Sequence, residues 1–484
     1  MRKSRTIYFN DARHYYLFVF DPPMRLEDAW RPVDEVSGTA VDTFIYGVSR
    51  GDTGLFFPSE VGMRFGADLQ PFQNAYEWRS WENMESLIAR GLDPLTVLID
   101  RAHEKNMEFF ASLRLGSYGG MNPEHSVANG GRGFLHPEVR DHQYAQLVEL
   151  ATRYAVDGVE LDFAAAPGGD TFCLSPEDAP QEVSVLTNFV RDVAAMVRQR
   201  PGNPGQVGVR VYPAQELNER AGLEVDTWLR EGLVDFVVPM AYSCFVLDAN
   251  MPIDWIVAAA HEKEIPVYGM LQPYYDNGQR SNTKVVHATP AMMRAAAANF
   301  WHAGVDGLYT WFMPWPLGEP ERLILSEIGD RDLVQEGDKH YFLRRRAENP
   351  GRFDYQAHLP LEIPTADPQK RYEIPFTVAD NSANDRIQHA RLKLNITNLV
   401  TPDHLEVSLN GNLLPATSCR YDMRPYDTYT GQWLTFDLAG MSLQQGANIL
   451  AIALSGRPTG FTGSVVVEDV EIIIEYGVFA AVSR

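Results

Sequence analysis

The stretch RYAVDGVELDF, residues 153–163, decides the fold of this chain. From Val159 onward it alternates with a period of two, the signature of a strand. Val159, Leu161 and Phe163 fall on one face, and Gly158, Glu160 and Asp162 on the other. The apolar face calls for a layer of helices. Carboxylates on the opposite face cannot be buried at low cost unless they are paired or working. A parallel barrel resolves the conflict, because its strands turn one face to the helices and the other inward. The C-terminal ends of the inward faces form the mouth where barrel chemistry takes place.

Outward from this strand the chain keeps one rhythm. Strands are expected at 16–21 (YLFVFD), 41–51, 107–115 (MEFFASLRL), 158–163, 207–213, 233–243, 266–273 and 305–315. Helical spacing fills most of the gaps, at 93–106, 136–155, 182–200, 224–231, 255–264 and 290–304. Asp93 as N-cap with Pro94 behind it marks one helix start. Eight strands alternating with helices predict a (β/α)8 TIM barrel of the α/β class. AVDGVELDF and GVDGLYTWF echo one another, which aligns Tyr309 with Glu160 and Trp311 with Asp162. Both pairs are expected to point into the barrel.

Near residue 335 the helical period ends. RYEIPFTVAD, ARLKLNITNL, HLEVSLNGNLL, QWLTFDLAG, NILAIALSG and SVVVEDVEIIIEYG read as antiparallel strands, with LNGN (409–412) as a hairpin turn. The expected division is a catalytic barrel over 1–335 and a C-terminal antiparallel β-sandwich over 336–484. The sandwich reads as a brace for the barrel ahead of a carbohydrate-binding module, since it shows no compact aromatic cluster.

Composition narrows the function. A chain of 484 residues with 45% hydrophobic and 22% charged residues has material for two cores. Its formal charge of −22 repels phosphate backbones and argues against nucleic acid. Cys173, Cys244 and Cys419 lack metal-site spacing. The opening MRKSRTIYFNDARHYYLFVFDPP is interrupted by Asn10, Asp11 and Arg13 rather than running on as a leader's apolar core. No stretch is long enough to span a membrane. The expectation is a cytoplasmic protein with no membrane partner.

An acidic mouth suits glycoside cleavage, which needs one carboxyl to protonate the leaving oxygen and another to attack or activate water. The candidate catalytic residues are Asp162, Glu160 and Glu216. Arg114 and Arg210, on the flanking strands, would hold a carboxylate ionised. Tyr242, Tyr309 and Trp311, with Tyr274, Tyr275 and Trp315 nearby, offer ring faces of the kind that stack on sugars. Asp276, past the seventh strand, completes the substrate-binding set, and Arg50 and Arg132 in mouth loops leave an anionic glycan open. No cofactor is expected. None of the twelve histidines forms an HxH or HxxxH pair on a strand end, so no metal is expected either. Two alternatives stand beside the glycosidase. One is a non-catalytic glycan-binding barrel. The other is a metal-assisted carbohydrate hydrolase or deacetylase using Asp162 with His125 or His136.

HPEVRDH, RYAVDGVELDF, VRVYP and GLVDFVVPMAY together resemble the family-10-like glycosyl hydrolases, over roughly residues 10–330. The passage 136–163 is the most specific piece. The resemblance implies a (β/α)8 glycosidase-type catalytic domain, and the leading expectation is hydrolysis of a glycosidic bond in an oligo- or polysaccharide. More distantly the chain is similar to chitinase-like family 18 barrels, whose fourth strand reads D-G-x-D-x-D-x-E. Asp157, Glu160 and Asp162 match its acidic positions, but Ala164 stands where that family has its catalytic acid.

Overall fold

The structure is a computed structural model of the 484-residue chain. It describes all residues except 1, 12–15, 50–53, 116–122, 126–132, 165–172, 203, 241–244, 276–285, 347–354, 365, 368, 416–418, 423–431, 439–442 and 478–484, and the side chains of 419–422.

Eight parallel strands form the barrel: Thr6–Asp11, Thr43–Gly47, Glu108–Arg114, Gly158–Asp162, Gln206–Val211, Phe236–Pro239, Tyr268–Leu271 and Gly307–Thr310. Each pairs with its sequence neighbour, and the eighth returns to the first through Ile7↔Tyr309. The sixth and seventh strands meet through a parallel bridge between Val237 and Val267. Helices including Pro94–Glu104, Pro137–Arg153, Ala179–Arg198 and Pro290–Ala303 alternate with the strands. Asp93 caps its helix as its sequence implies, accepting from the N–H groups of Leu95 and Thr96.

The first strand differs from expectation. Residues 16–19 are a short helix, and the strand is TIYFND, 6–11. A continuous apolar run such as YLFVF carries no period, so it fits a buried helical turn as well as a strand. The shift moves the first strand's terminal carboxylate from Asp21, which is exposed, to Asp11, which is 1% exposed.

Inside the barrel, large and small side chains alternate across facing positions. A Cβ on Gly208 would sit 2.0 Å from the ring of Phe236, so only glycine leaves that ring its place. At the N-terminal end Arg5 closes the floor. It donates to Glu108 at 2.8 Å, Tyr268 at 3.0 Å and Gln206 at 2.6 Å, with its guanidinium carbon 5.5 Å from the centre of the Phe110 ring.

The C-terminal part is a β-sandwich of a six-stranded and a four-stranded antiparallel sheet. Every strand expected there is present. Alternation along Tyr372–Val378 buries Ile374, Phe376 and Val378. The LNGN turn has Asn410 at φ 50 and Gly411 at φ 81, as a tight hairpin requires. Hydrogen bonds tie sandwich to barrel: Asn299 donates to the carbonyls of Ala249 and Thr377, each at 2.9 Å, and the Thr377 N–H donates to Asn250 at 2.7 Å. No helix among the described residues is long and apolar enough to cross a membrane.

Candidate active site

Strand register builds the centre of the site. Arg114 pairs with Asp162 across the third and fourth strands, and Asp162 with Arg210 across the fourth and fifth. Three adjacent inward positions therefore read arginine, aspartate, arginine at the C-terminal end of the barrel. Arg210 donates through Nη2 to Asp162 Oδ2 at 2.8 Å, and Arg114 Nε lies 3.8 Å from the same oxygen. The other oxygen, Oδ1, accepts from the Ala164 backbone N–H at 3.1 Å. Two guanidiniums and an N–H dipole make this pocket complementary to a negative charge.

Glu160 lies one inward position deeper. Its Oε1 accepts from Ser112 Oγ at 2.7 Å and from the Tyr309 hydroxyl at 3.2 Å. Arg210 Nε stands 3.0 Å from that oxygen, but its N–H is not aligned to donate. Arg210 also donates to Ser112 Oγ at 3.0 Å. Burial pushes the Glu160 carboxyl above its usual range, and Asp162 adds to the rise; Arg210, Ser112 and Tyr309 pull the other way without prevailing. Burial likewise drives the Tyr309 phenol well up, so it stays a donor. Arg210 is held protonated, since Asp162 and Glu160 outweigh the desolvation that opposes its charge. Two buried carboxyl groups thus share Arg210, and burial lifts that of Glu160.

Aromatic rings cover this network. The Arg210 guanidinium carbon lies 4.3 Å from the centre of the Phe9 ring and 4.6 Å from that of Trp311. Phe9 and Trp311 are 4.5 Å apart, and Phe245 packs on Trp311 at 5.0 Å. Five buried polar atoms here have no hydrogen-bond partner among the described residues: Glu160 Oε2, Arg210 Nε, Arg210 Nη1, Arg114 Nη1 and Trp311 Nε1. An unmet buried donor or acceptor costs about 1–3 kcal/mol, so such a cluster invites a polar ligand or water.

Of the residues singled out in the sequence, Glu160, Asp162, Arg114, Arg210, Tyr309 and Trp311 come together here. The V-D-G echo holds for Tyr309, which meets Glu160 directly. Trp311 is 0% exposed and lies in the layer that supports Arg210, with no face open to solvent. Glu216 is elsewhere: it is exposed in the first turn of the helix Gln215–Ala221, and no hydrogen bond or ion pair among the described residues joins it to the strand carboxylates. Tyr242 and Asp276, with Arg50 and Arg132, lie outside the described residues.

Three participants were missed. Asp11 accepts from Arg114 Nη2 at 2.6 Å and is the third buried carboxylate of the cluster. It ends YFND as Asp162 ends VELD, and that parallel was the available signal. Ser112 was readable from parity, two residues before Arg114. Phe9, two before Asp11, was hidden by the same misplaced first strand. A separate group, His125, His136 and Glu138, brings metal-ligating atoms within 4.8 Å of one another.

No family model matches the chain, and no curated protein does. Among solved structures it resembles a cycloisomaltooligosaccharide glucanotransferase from Paenibacillus sp. (9% identity, TM-score 0.37, covering 96% of this chain and 57% of that one). It also resembles the spore cortex-lytic enzyme SleL of Bacillus cereus (11%, 0.39, 67% and 74%). A third is an alpha-L-fucosidase from Vibrio sp. strain EJY3 (11%, 0.41, 97% and 96%). The chain thus spans little more than half the length of the glucanotransferase. The counterparts of this barrel include glycosidase-type structures, and at TM-scores below 0.5 the likeness carries nothing on substrate or mechanism.

Proposed function

We propose that the chain is a glycoside hydrolase acting on an oligo- or polysaccharide at the C-terminal end of its barrel. The observation that carries the reading is the pair of carboxyl groups on one strand that share Arg210, with Glu160 lifted by burial. Asp162 is surrounded by positive charge and N–H dipoles, while burial lifts Glu160. Environments that push two carboxyl groups apart assign one as acid and the other as ionised partner. In this reading Glu160 keeps its proton and offers it through the unpartnered Oε2 to the leaving oxygen. Asp162 supplies negative charge opposite the anomeric carbon as positive charge develops there. Arg210 holds both in register, and the water that completes hydrolysis returns a proton to the Glu160 carboxylate. Asp11 balances Arg114, so with Glu160 protonated the cluster is neutral, which favours a sugar over a strongly anionic group.

Both strand carboxyls are 0% exposed. A substrate reaching them must displace the side chains that cover them, and catalysis here requires such an opening. The same burial favours a second reading, a glycan-binding barrel whose ion network is structural. Product release from a panel of polysaccharides, by wild type and by Asp162→Asn, separates the two. Turnover that falls at least ~100-fold in the variant supports the hydrolase, that being the lower end of what acid–base catalysis contributes. Binding without product release in the wild type supports the second reading.

A further inference from the structure

We propose that His125, His136 and Glu138 form a binding site for a divalent transition-metal ion of the zinc class. His125 ends the single 3-10 turn Pro123–His125, and His136 stands at the N-cap of the helix Pro137–Arg153. Their rings face one another with centroids 4.8 Å apart, tilted by 37°. The His136 imidazole makes no capping hydrogen bond, so it is not spent on the helix. Glu138 is exposed in the first turn, and its side chain can swing.

The backbone holds the two imidazoles together. The Gly133 N–H donates to the His125 carbonyl at 2.7 Å, and the His136 N–H donates to the Gly133 carbonyl at 3.1 Å. A Cβ on Gly133 would lie 2.8 Å from the His125 carbonyl oxygen and 3.0 Å from the His136 ring. Glycine is therefore a condition of the ring pairing.

Two imidazoles and a carboxylate are the three-ligand set that leaves zinc a fourth position for water. Ligands at about 2.1 Å on a tetrahedral ion stand about 3.4 Å apart, so the 4.8 Å spread must close slightly. Rotation of Glu138 supplies most of that. A helix N-terminus opposes a cation, but here the opposition is blunted. Pro137 has no N–H, and the N–H groups of Val139 and Arg140 are both turned to the His136 carbonyl. Once bound, the ion ties the turn at 123–125 to the helix start at 136–138.

The inference is independent of the glycosidase reading, because its test reads binding alone. Full-length protein without an affinity tag is stripped with EDTA, desalted and titrated with Zn2+ by calorimetry. Co2+ absorption reports the coordination geometry, and Mg2+ serves as control. One equivalent of Zn2+ per chain is expected, with at least tenfold weaker binding in His125→Ala, His136→Ala and Glu138→Gln. Gly133→Ala should weaken binding likewise, although it removes no ligand. Melting of the stripped variants checks that they fold; if Gly133→Ala does not, the half-buried histidine variants decide alone. Equal Zn2+ affinity in wild type and in the His125→Ala/His136→Ala double variant overturns the proposal.

Discussion

Arg210 and Asp162 meet at 2.8 Å across adjacent strands, and neither side chain is exposed. Breaking such a pair leaves one charge uncompensated in the interior, at a cost of about 3–5 kcal/mol. Arg210→Met should therefore lower stability by that amount in urea unfolding. A midpoint close to wild type would mean that water reaches Asp162 and that the network is looser than its geometry.

Glu160 gives a pH signature. Its proton is held more tightly in the folded chain than in the unfolded one. Its contribution to stability is thus fully present below the ordinary value of 4.5 and is lost as pH rises through the raised folded-state value. Glu160→Gln cannot ionise, so the variant should gain on wild type as pH climbs. Melting temperatures of both proteins at about pH 4, 6 and 8 read the sign directly. A variant that instead loses ground to wild type as pH climbs would show that Arg210 keeps Glu160 ionised.

Trp311→Phe separates packing from recognition. The smaller ring still covers Arg210, while the unpartnered Nε1–H is lost. If that donor meets a ligand, glycan affinity should fall by about 1 kcal/mol, the net worth of an ordinary hydrogen bond, with little change in melting temperature. Unchanged affinity would leave Trp311 as support for the guanidinium.

The division into 1–335 and 336–484 predicts where a protease cuts first. Limited digestion should nick the connecting region near 345–370, or the Gly-rich segment 116–133, before any barrel strand. Early fragments ending inside 158–163 or 206–211 would contradict the division.

Period carried most of what could be read beforehand. Strict alternation through VELD placed both carboxylates on one face, and the same rule placed Arg114, Arg210 and Tyr309 beside them. Where period was absent the reading failed. YLFVF has no alternation to arbitrate between helix and strand, so the first strand was misplaced and Asp11 was overlooked. Burial was illegible for a different reason. Trp311 reads as a platform from its place in the chain, and only the packing of Phe9 and Phe245 removes its open face. The meeting of His125 and His136 depends on the backbone hydrogen bonds of Gly133 and on its missing side chain, and no spacing rule announces it.

Arg5 has a consequence for traffic. With its guanidinium wedged among Glu108, Tyr268 and Gln206, Arg5 closes the N-terminal end of the barrel. Only the C-terminal end is left for a substrate. In the proposed hydrolase a departing fragment and an arriving chain would contend for that one end, so product is expected to inhibit competitively.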